Sequence, residues 1–344
     1  MIERSKFSLP FYFLFILFFL NCSGDRNELL TLNGVTMGTF YNVKVVKKGV
    51  NTLVVDLLPK GIQRVLDDVN QKMSTYVEDS ELSRLNQNRS TDWISVSPEL
   101  YKVLWYAIQT SKKSDGAFDI TVGPLVNLWG FGPEKNRENT IPSEKEIKDR
   151  LTNVGYQKLM LRADPPAVKK LNPKIYCDLS AIAKGYGVDK VADYLDSLQV
   201  ANYLIEVGGE IRARGLNQKG ADWRIGISSP QNPNDIEKVI SVTNRAVATS
   251  GDYRNYFEKD GIRYSHTIDP TTGKPITHHL ASVTVIHDSC MVADAMATAI
   301  DVLGPQKGYD LAQREELAVF LIVKEGNKFV EKMTPQFSKI LFSK

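Results

Sequence analysis

The chain predicts an α+β (mixed α/β) protein. Helix-period and strand-period segments interleave without the regular strand–helix alternation of a doubly wound sheet. The apolar runs bounded by turn residues have the length of buried strands. At 344 residues and 42 % apolar content, the chain holds one large core or two closely joined ones. Its net charge is +3, with both signs spread along the chain. No basic stripe for nucleic acid results.

Residues 1–22 read as an export signal. Arg4 and Lys6 precede a continuous apolar run over residues 11–20. That run is shorter than the roughly 20 residues of a bilayer-spanning helix and suits a secretory signal. Cys22 follows it and is a candidate for lipid attachment, although Phe19 and Asn21 stand where small residues are usual. An ordinary cleaved signal and an uncleaved short anchor are the alternatives. Residues 23–33 are polar and read as a tether, 34–335 as the folded unit, and 336–344 as a C-terminal tail.

Alternation over residues 35–46 predicts a strand containing Met37-Gly-Thr-Phe-Tyr41. Leu57, Leu58, Ile62, Val65, Leu66 and Val69 have helical spacing, with Pro59-Lys60-Gly61 interrupting the helix start. A second short helical turn follows Ser80. Ser97 as N-cap and Pro98 at the first position predict a helix running to about Lys113. Residues 116–132 are dense in Gly and aromatics and predict an ordered loop with helical pieces. A solvated helix is expected over 143–154. Strands are expected over Tyr203–Val207 and over 223–227, 246–249, 282–287 and 317–323. A helix over 291–303 is expected to stop at Gly304.

The richest stretch is Asp178-Leu-Ser-Ala-Ile-Ala-Lys-Gly-Tyr-Gly187. It opens a helix over 188–195, carries Lys184, and is small at Ala181, Ala183, Gly185 and Gly187. Free amides at a helix start favour anions, so the stretch reads as a phosphate-holding turn. It is neither a Walker loop nor a dinucleotide fingerprint, since Lys190 stands where the third glycine is required. H-E-x-x-H, C-x-x-C and G-x-S-x-G are absent, and the histidines are only His266, His278, His279 and His287. This argues against a zinc site built from soft ligands; a metal, if one is used, is expected to be a hard cation held by oxygen. Asp294 and Thr298 lie one helical turn apart and put a carboxylate and a hydroxyl on one face, which suits Mg²⁺. Taken alone, Asp294 serves the helix dipole equally well. His266, at a strand end before the Asp269-Pro270 turn, is a candidate general base or a structural residue. Gly208-Gly209 within Glu206-Val-Gly-Gly-Glu210 predicts a hairpin or a close ligand approach. Tyr76 and Phe118 can stack on a flat ring, and Asp119 can accept from a ring NH or a ribose hydroxyl. Cys177 and Cys290 are expected as buried single thiols.

These segments, in this order, resemble the ApbE family, the FAD:protein FMN transferases. The carrying residues are Met37-Gly-Thr, Met73-Ser-Thr-Tyr76, Gly116-Ala-Phe-Asp-Ile-Thr-Val-Gly-Pro-Leu125, Asp178 to Gly185, Glu206 to Glu210, His266 to Gly273 and Ala293 to Thr298. The resemblance covers about residues 33–330. It implies two closely packed α/β lobes with the active site between them. It also implies Mg²⁺-dependent transfer of FMN from FAD to a Thr or Ser hydroxyl of a target protein, with release of AMP. By position it implies FAD contacts at Met37, Tyr76, Ala117, Phe118, Asp119, Asp178, Lys184 and Ile268. It implies Mg²⁺ ligands at Asp294 and Thr298, with the backbone of Ala181 and Ala297. His266 matches the histidine near the reacting phosphates, so His266, Asp294 and Lys184 are the candidate catalytic set. The implied target is a subunit of a membrane redox complex, and the implied location is a membrane lipoprotein facing the periplasm or cell exterior. FAD hydrolysis to FMN and AMP, and flavin binding without catalysis, stay open as alternatives.

Overall fold

Apolar strand runs meeting edge to edge build the centre of the molecule; the structure, a computed structural model, describes residues 27–134, 140–232, 235–251, 256–259 and 262–342. A hairpin of β1 (Leu29–Thr36) and β2 (Thr39–Val46) is followed by α1 (Thr52–Met73), α2 (Glu81–Gln87), β3 (Trp93–Ser95) and α3 (Pro98–Lys113). A 3-10 turn over Ile120–Val122 leads into α4 (Gly123–Leu128) and α5 (Glu144–Leu151). Next come the hairpin of β4 (Leu159–Arg162) and β5 (Ala167–Lys170), and then α6 (Ala183–Ser197). The chain continues through β6 (Tyr203–Val207), β7 (Glu210–Arg214), β8 (Trp223–Ser228), β9 (Ile236–Val242) and β10 (Arg245–Ser250). Four short strands follow: β11 (Tyr256–Lys259), β12 (Ile262–Ser265), β13 (Ile268–Asp269) and β14 (Lys274–Pro275). The last elements are β15 (Leu280–His287), α7 (Cys290–Arg314), β16 (Ala318–Glu325), β17 (Lys328–Met333) and α8 (Pro335–Phe342).

The main sheet has the order β1-β2-β6-β7-β10-β15-β16-β17, and every neighbouring pair is antiparallel. Side-chain alternation sorts each strand onto two faces. Tyr203, Ile205 and Val207 of β6 pack with α1 and α6. Val319 and Leu321 of β16 pack with α3 and α7. Ala318, Phe320 and Ile322 of β16 point the other way, onto β8, β9 and Phe337 of α8. With both faces covered, β6 and the first six residues of β16 are apolar at nearly every position, the pattern expected when no face meets water. Each fully buried leucine on these faces contributes about 1.5–3 kcal/mol.

The mixed α/β class is as expected, and several boundaries differ. The strand expected over 35–46 is the end of one strand and all of the next, because Met37 (φ 49°) and Gly38 (φ 71°) make a two-residue turn between β1 and β2. β1 occupies residues 29–33 of the stretch read as a tether. α1 runs through Pro59 without interruption. Its buried stripe of Leu58, Ile62, Leu66 and Val69 outweighs the one missing backbone donor. Gly304 (φ 77°) does end a helical segment, but the chain re-enters a helix at Pro305 and continues to Arg314. The stretch read as a tail carries α8, whose Phe337 is fully buried against Phe320. The signal segment and Cys22 lie outside the described residues. Among the described residues, no helix is long and apolar enough to cross a membrane.

Candidate active site

The site forms where α6 and α7 cross beside the β6–β7 turn. α6 begins at Ala183, five positions earlier than the periodicity suggested, because its opening Ala-Lys-Gly-Tyr-Gly carries no apolar period. Its N-cap position, Ile182, offers no side-chain cap. The missing acceptor comes from the neighbouring helix: Oδ2 of Asp294 accepts the Gly185 N–H at 2.9 Å. α6 returns the favour. Its Asp189 accepts from the Cys290 and Met291 amides at 3.0 and 3.1 Å, at the start of α7. Each helix thus caps the other with a carboxylate, the favoured charge at a helix N-terminus. Gly185 permits the approach, since a Cβ there would lie 2.4 Å from the Cys290 carbonyl oxygen and 2.8 Å from Cβ of Asp294.

This corrects the reading of residues 178–187 as a plain phosphate turn. The Gly185 amide is spent on Asp294. Oδ1 of Asp178 closes a local turn onto the Ser180 amide and hydroxyl, at 2.8 and 2.6 Å.

Lys184 sits between two carboxylates. Its Nζ is 3.1 Å from Oε1 of Glu210 and 3.7 Å from Oδ1 of Asp294. Glu210 is only 3 % exposed and Asp294 5 %. Burial raises both carboxyls, Glu210 to about 7, with the neighbouring negative charge of Asp294 adding to that shift and Lys184 opposing it. The same two carboxylates push the Lys184 ammonium well above the usual lysine range against the cost of its own burial. Oε2 of Glu210 is buried without a hydrogen-bond partner. Two carboxylates around one ammonium leave the pocket net negative and short of donors.

A cavity of about 470 Å³ opens over this cluster, within the usual range for small-molecule sites. Of the residues picked from the sequence, Tyr76, Ala117, Phe118, Asp119, Asp178, Ala181, Lys184, His266, Ile268, Asp294 and Thr298 all line it. Met37 and Ala297 do not. Met37 lies in the β1–β2 turn against α6, where a Cβ on Gly187 would meet its Cε at 2.9 Å. Ala297 is buried in the core beneath α7. Tyr76 stands on the rim, 65 % exposed, with its hydroxyl donating to the Phe131 carbonyl at 3.1 Å. The His266 ring faces the edge of Phe131, centroids 6.3 Å apart. Asp119 proves to be a brace. Its Oδ1 accepts from the Thr121 amide and hydroxyl (2.8 and 2.7 Å), and its Oδ2 from the Tyr156 amide (2.7 Å). Its carboxylate is therefore largely committed to holding the loop that carries Ala117 and Phe118.

Gly208 and Gly209 have φ of 62° and 108°, so the β6–β7 hairpin turn and the close approach to the cavity are the same feature. The turn delivers Glu210, which residue-by-residue reasoning had not placed in the site. Its only sequence signal is that it follows a glycine pair at the end of a buried strand. Cys177 and Cys290 are free and buried.

The exposed ring of Tyr76 and the buried Lys184–Glu210–Asp294 cluster share one cavity. The ApbE family model matches residues 37–321. The FAD:protein FMN transferase of Haemophilus influenzae is 45 % identical over 324 residues, covering 93 % of both chains. That of Escherichia coli is 40 % identical, covering 95 % of both. The solved structure of the flavin transferase ApbE from Vibrio cholerae superposes with a TM-score of 0.85 at 44 % identity, covering 91 % of this chain and 99 % of that one. The apo flavinyl transferase ApbE of Pseudomonas stutzeri gives 0.84 at 39 % identity, covering 92 % and 98 %. The chain belongs to the ApbE family.

Proposed function

We propose that this enzyme transfers FMN from FAD to a Thr or Ser hydroxyl of a target protein, forming a phosphoester and releasing AMP. The observation that carries the reading is the meeting of Asp294, Thr298, Lys184 and the exposed ring of Tyr76 in one cavity. Tyr76, 65 % exposed on the rim, offers a face for the flavin ring, whereas the Phe118 side chain is only 2 % exposed and packs in the core behind the cavity wall. Asp294, Thr298 and Ala181 line the same cavity, and a carboxylate, a hydroxyl and a backbone carbonyl would give a hard cation the all-oxygen donors it requires. Among the described residues no group of three or more His, Cys, Asp or Glu gathers for a metal. Such a set suits Mg²⁺, which keeps waters and binds through one or two carboxylates plus substrate phosphate oxygens. When bound there, Mg²⁺ would neutralise charge developing on the pyrophosphate.

The chain's own residues do the rest. Lys184 presents a positive charge that stays protonated throughout the working pH range, since both carboxylates stabilise it. His266 lines the cavity, and in this reading it takes the proton from the acceptor hydroxyl as general base. The hydroxyl oxygen attacks the flavin-side phosphorus, the bond to the AMP phosphate breaks, and AMP leaves with the electron pair. Little covalent assistance is needed for such a transfer; positioning and charge neutralisation suffice.

Incubation with FAD, Mg²⁺ and a candidate acceptor domain tests the reading. A fluorescent protein band on a denaturing gel is expected, absent with Asp294→Ala. Free FMN without a labelled band would replace transfer by hydrolysis, and undiminished labelling by Asp294→Ala would remove the metal assignment. We further propose that residues 1–22 direct export, that Cys22 is lipidated, and that the target is a subunit of a membrane redox complex. Radiolabelled palmitate incorporation lost in Cys22→Ala tests the anchor.

A further inference from the structure

The cluster at the α6–α7 crossing contains one group that the proposed chemistry leaves without a task. Glu210 touches neither the rim nor the oxygen set assigned to the cation. It is nevertheless buried, ion-paired to Lys184 at 3.1 Å, and carries a second oxygen with no partner. Its neighbour Lys184 also reaches Oδ1 of Asp294 at 3.7 Å. The other oxygen of Asp294 is held by the Gly185 amide. The oxygen that Lys184 approaches is therefore the one not already committed to the helix cap, and it is the one a cation would have to take.

An ammonium and a divalent cation cannot share that oxygen at low cost, because like charges a few ångströms apart in a buried site repel strongly. We propose that Glu210 is a positioning residue that draws the Lys184 ammonium off Asp294, so that a divalent cation can bind there. The inference rests on the assignment of Asp294 to the cation. The unpaired Oε2 of Glu210 is what makes the displacement feasible. Lys184 has three N–H donors, and the same carboxylate carries a second acceptor oxygen that is buried and unpartnered. Without Glu210, Asp294 is the one remaining ion-pair partner of Lys184 among the described residues, and the lysine becomes its resident counter-ion. The lysine would then compete with the metal as well as serving the nucleotide.

Mn²⁺ binding, followed by loss of the free-ion electron paramagnetic resonance signal with and without FAD, tests this apart from turnover. Wild type is expected to bind Mn²⁺ in a manner lost in Asp294→Ala. Glu210→Gln, nearly isosteric, is expected to weaken binding roughly tenfold or more. The decisive arm is the Lys184→Met background, where the same Glu210→Gln change is expected to cost little, because no ammonium remains to be moved. An equal loss in both backgrounds would mean that Glu210 acts by its charge alone and would overturn the proposal. So would unchanged binding in Glu210→Gln with Lys184 present. If wild type shows no Asp294-dependent binding, the metal reading fails first, and the two failures are distinct. Should Glu210→Gln not fold, Lys184→Met decides: it must bind Mn²⁺ at least as tightly as wild type, and weaker binding overturns the competition.

Discussion

Replacing Gly185 by alanine asks one methyl group to enter the tightest point of the molecule. The new carbon would lie 2.4 Å from the Cys290 carbonyl oxygen, 2.7 Å from its carbon and 2.8 Å from Cβ of Asp294. Two of these atoms are backbone, and the third belongs to a side chain fixed by its own hydrogen bond, so α6 and α7 must separate. Overpacking of this kind costs about 1–3 kcal/mol. Separation also stretches the 2.9 Å bond from the Gly185 amide to the Asp294 carboxylate. A hydrogen bond to a charged group contributes about 1.5–3 kcal/mol. The gain in helix propensity from Gly to Ala, at most about 1 kcal/mol, offsets part of this. A net loss of about 2–5 kcal/mol is expected. The control is two residues away in the same helix. Gly187→Ala would meet only the flexible end of Met37, at 2.9 Å, which can swing aside. Urea unfolding of the two variants reads the difference, and flavin labelling reads the displaced Asp294. If Gly185→Ala unfolds at the wild-type midpoint and labels normally, the close crossing and its role in placing Asp294 are wrong.

Other outcomes follow from the same geometry. Tyr76→Ala removes a ring that is 65 % exposed, so stability should change by less than about 1 kcal/mol while FAD affinity drops roughly tenfold; unchanged quenching of flavin fluorescence would exclude the ring from the site. Asp119→Asn places an amide NH₂ against the Thr121 or Tyr156 donors and should cost about 1–3 kcal/mol, seen as a lowered melting temperature. Burial pushes the Cys177 thiol up to about 12 and Cys290 well above its ordinary value, so neither should react with Ellman's reagent at pH 8 until the chain is unfolded. Burial holds the His287 imidazole below its ordinary 6.5, and its Nδ1 accepts from the Ser289 amide that precedes α7. The unfolded chain therefore takes up the proton first, and stability should fall as pH drops through about 6.5; a His287→Gln variant with an identical pH profile would remove His287 as the cause.

The parts legible in the sequence were those with a local physical signature. Tyr203–Val207, apolar except at Glu206, is a strand at those bounds. Ser97 caps α3 and Ser143 closes a capping box with Glu146, because short hydroxyl side chains at helix starts find orphan amides. The illegible parts depended on partners distant in sequence. Nothing local marks a methionine at positive φ, so the Met37 turn and the β1 strand before it were missed. The start of α6 carries no period because its role is to let Asp294 approach. Asp119 lines the cavity as expected of a ligand contact, but its second role, accepting from Thr121 and from Tyr156 far along the chain, has no sequence mark. Glu210 acquires a role only through Lys184 and Asp294, which arrive from two other elements.

The mutual capping of α6 and α7 also makes the Gly185 amide a natural reporter. Its hydrogen is donated to Asp294, so its exchange with heavy water depends on how firmly that carboxylate is held. A ligand that draws Asp294 toward itself weakens that grip, and one that locks the two helices together strengthens it. Deuterium uptake at this position would record occupancy of the site from the backbone outward, with no flavin signal and no turnover required.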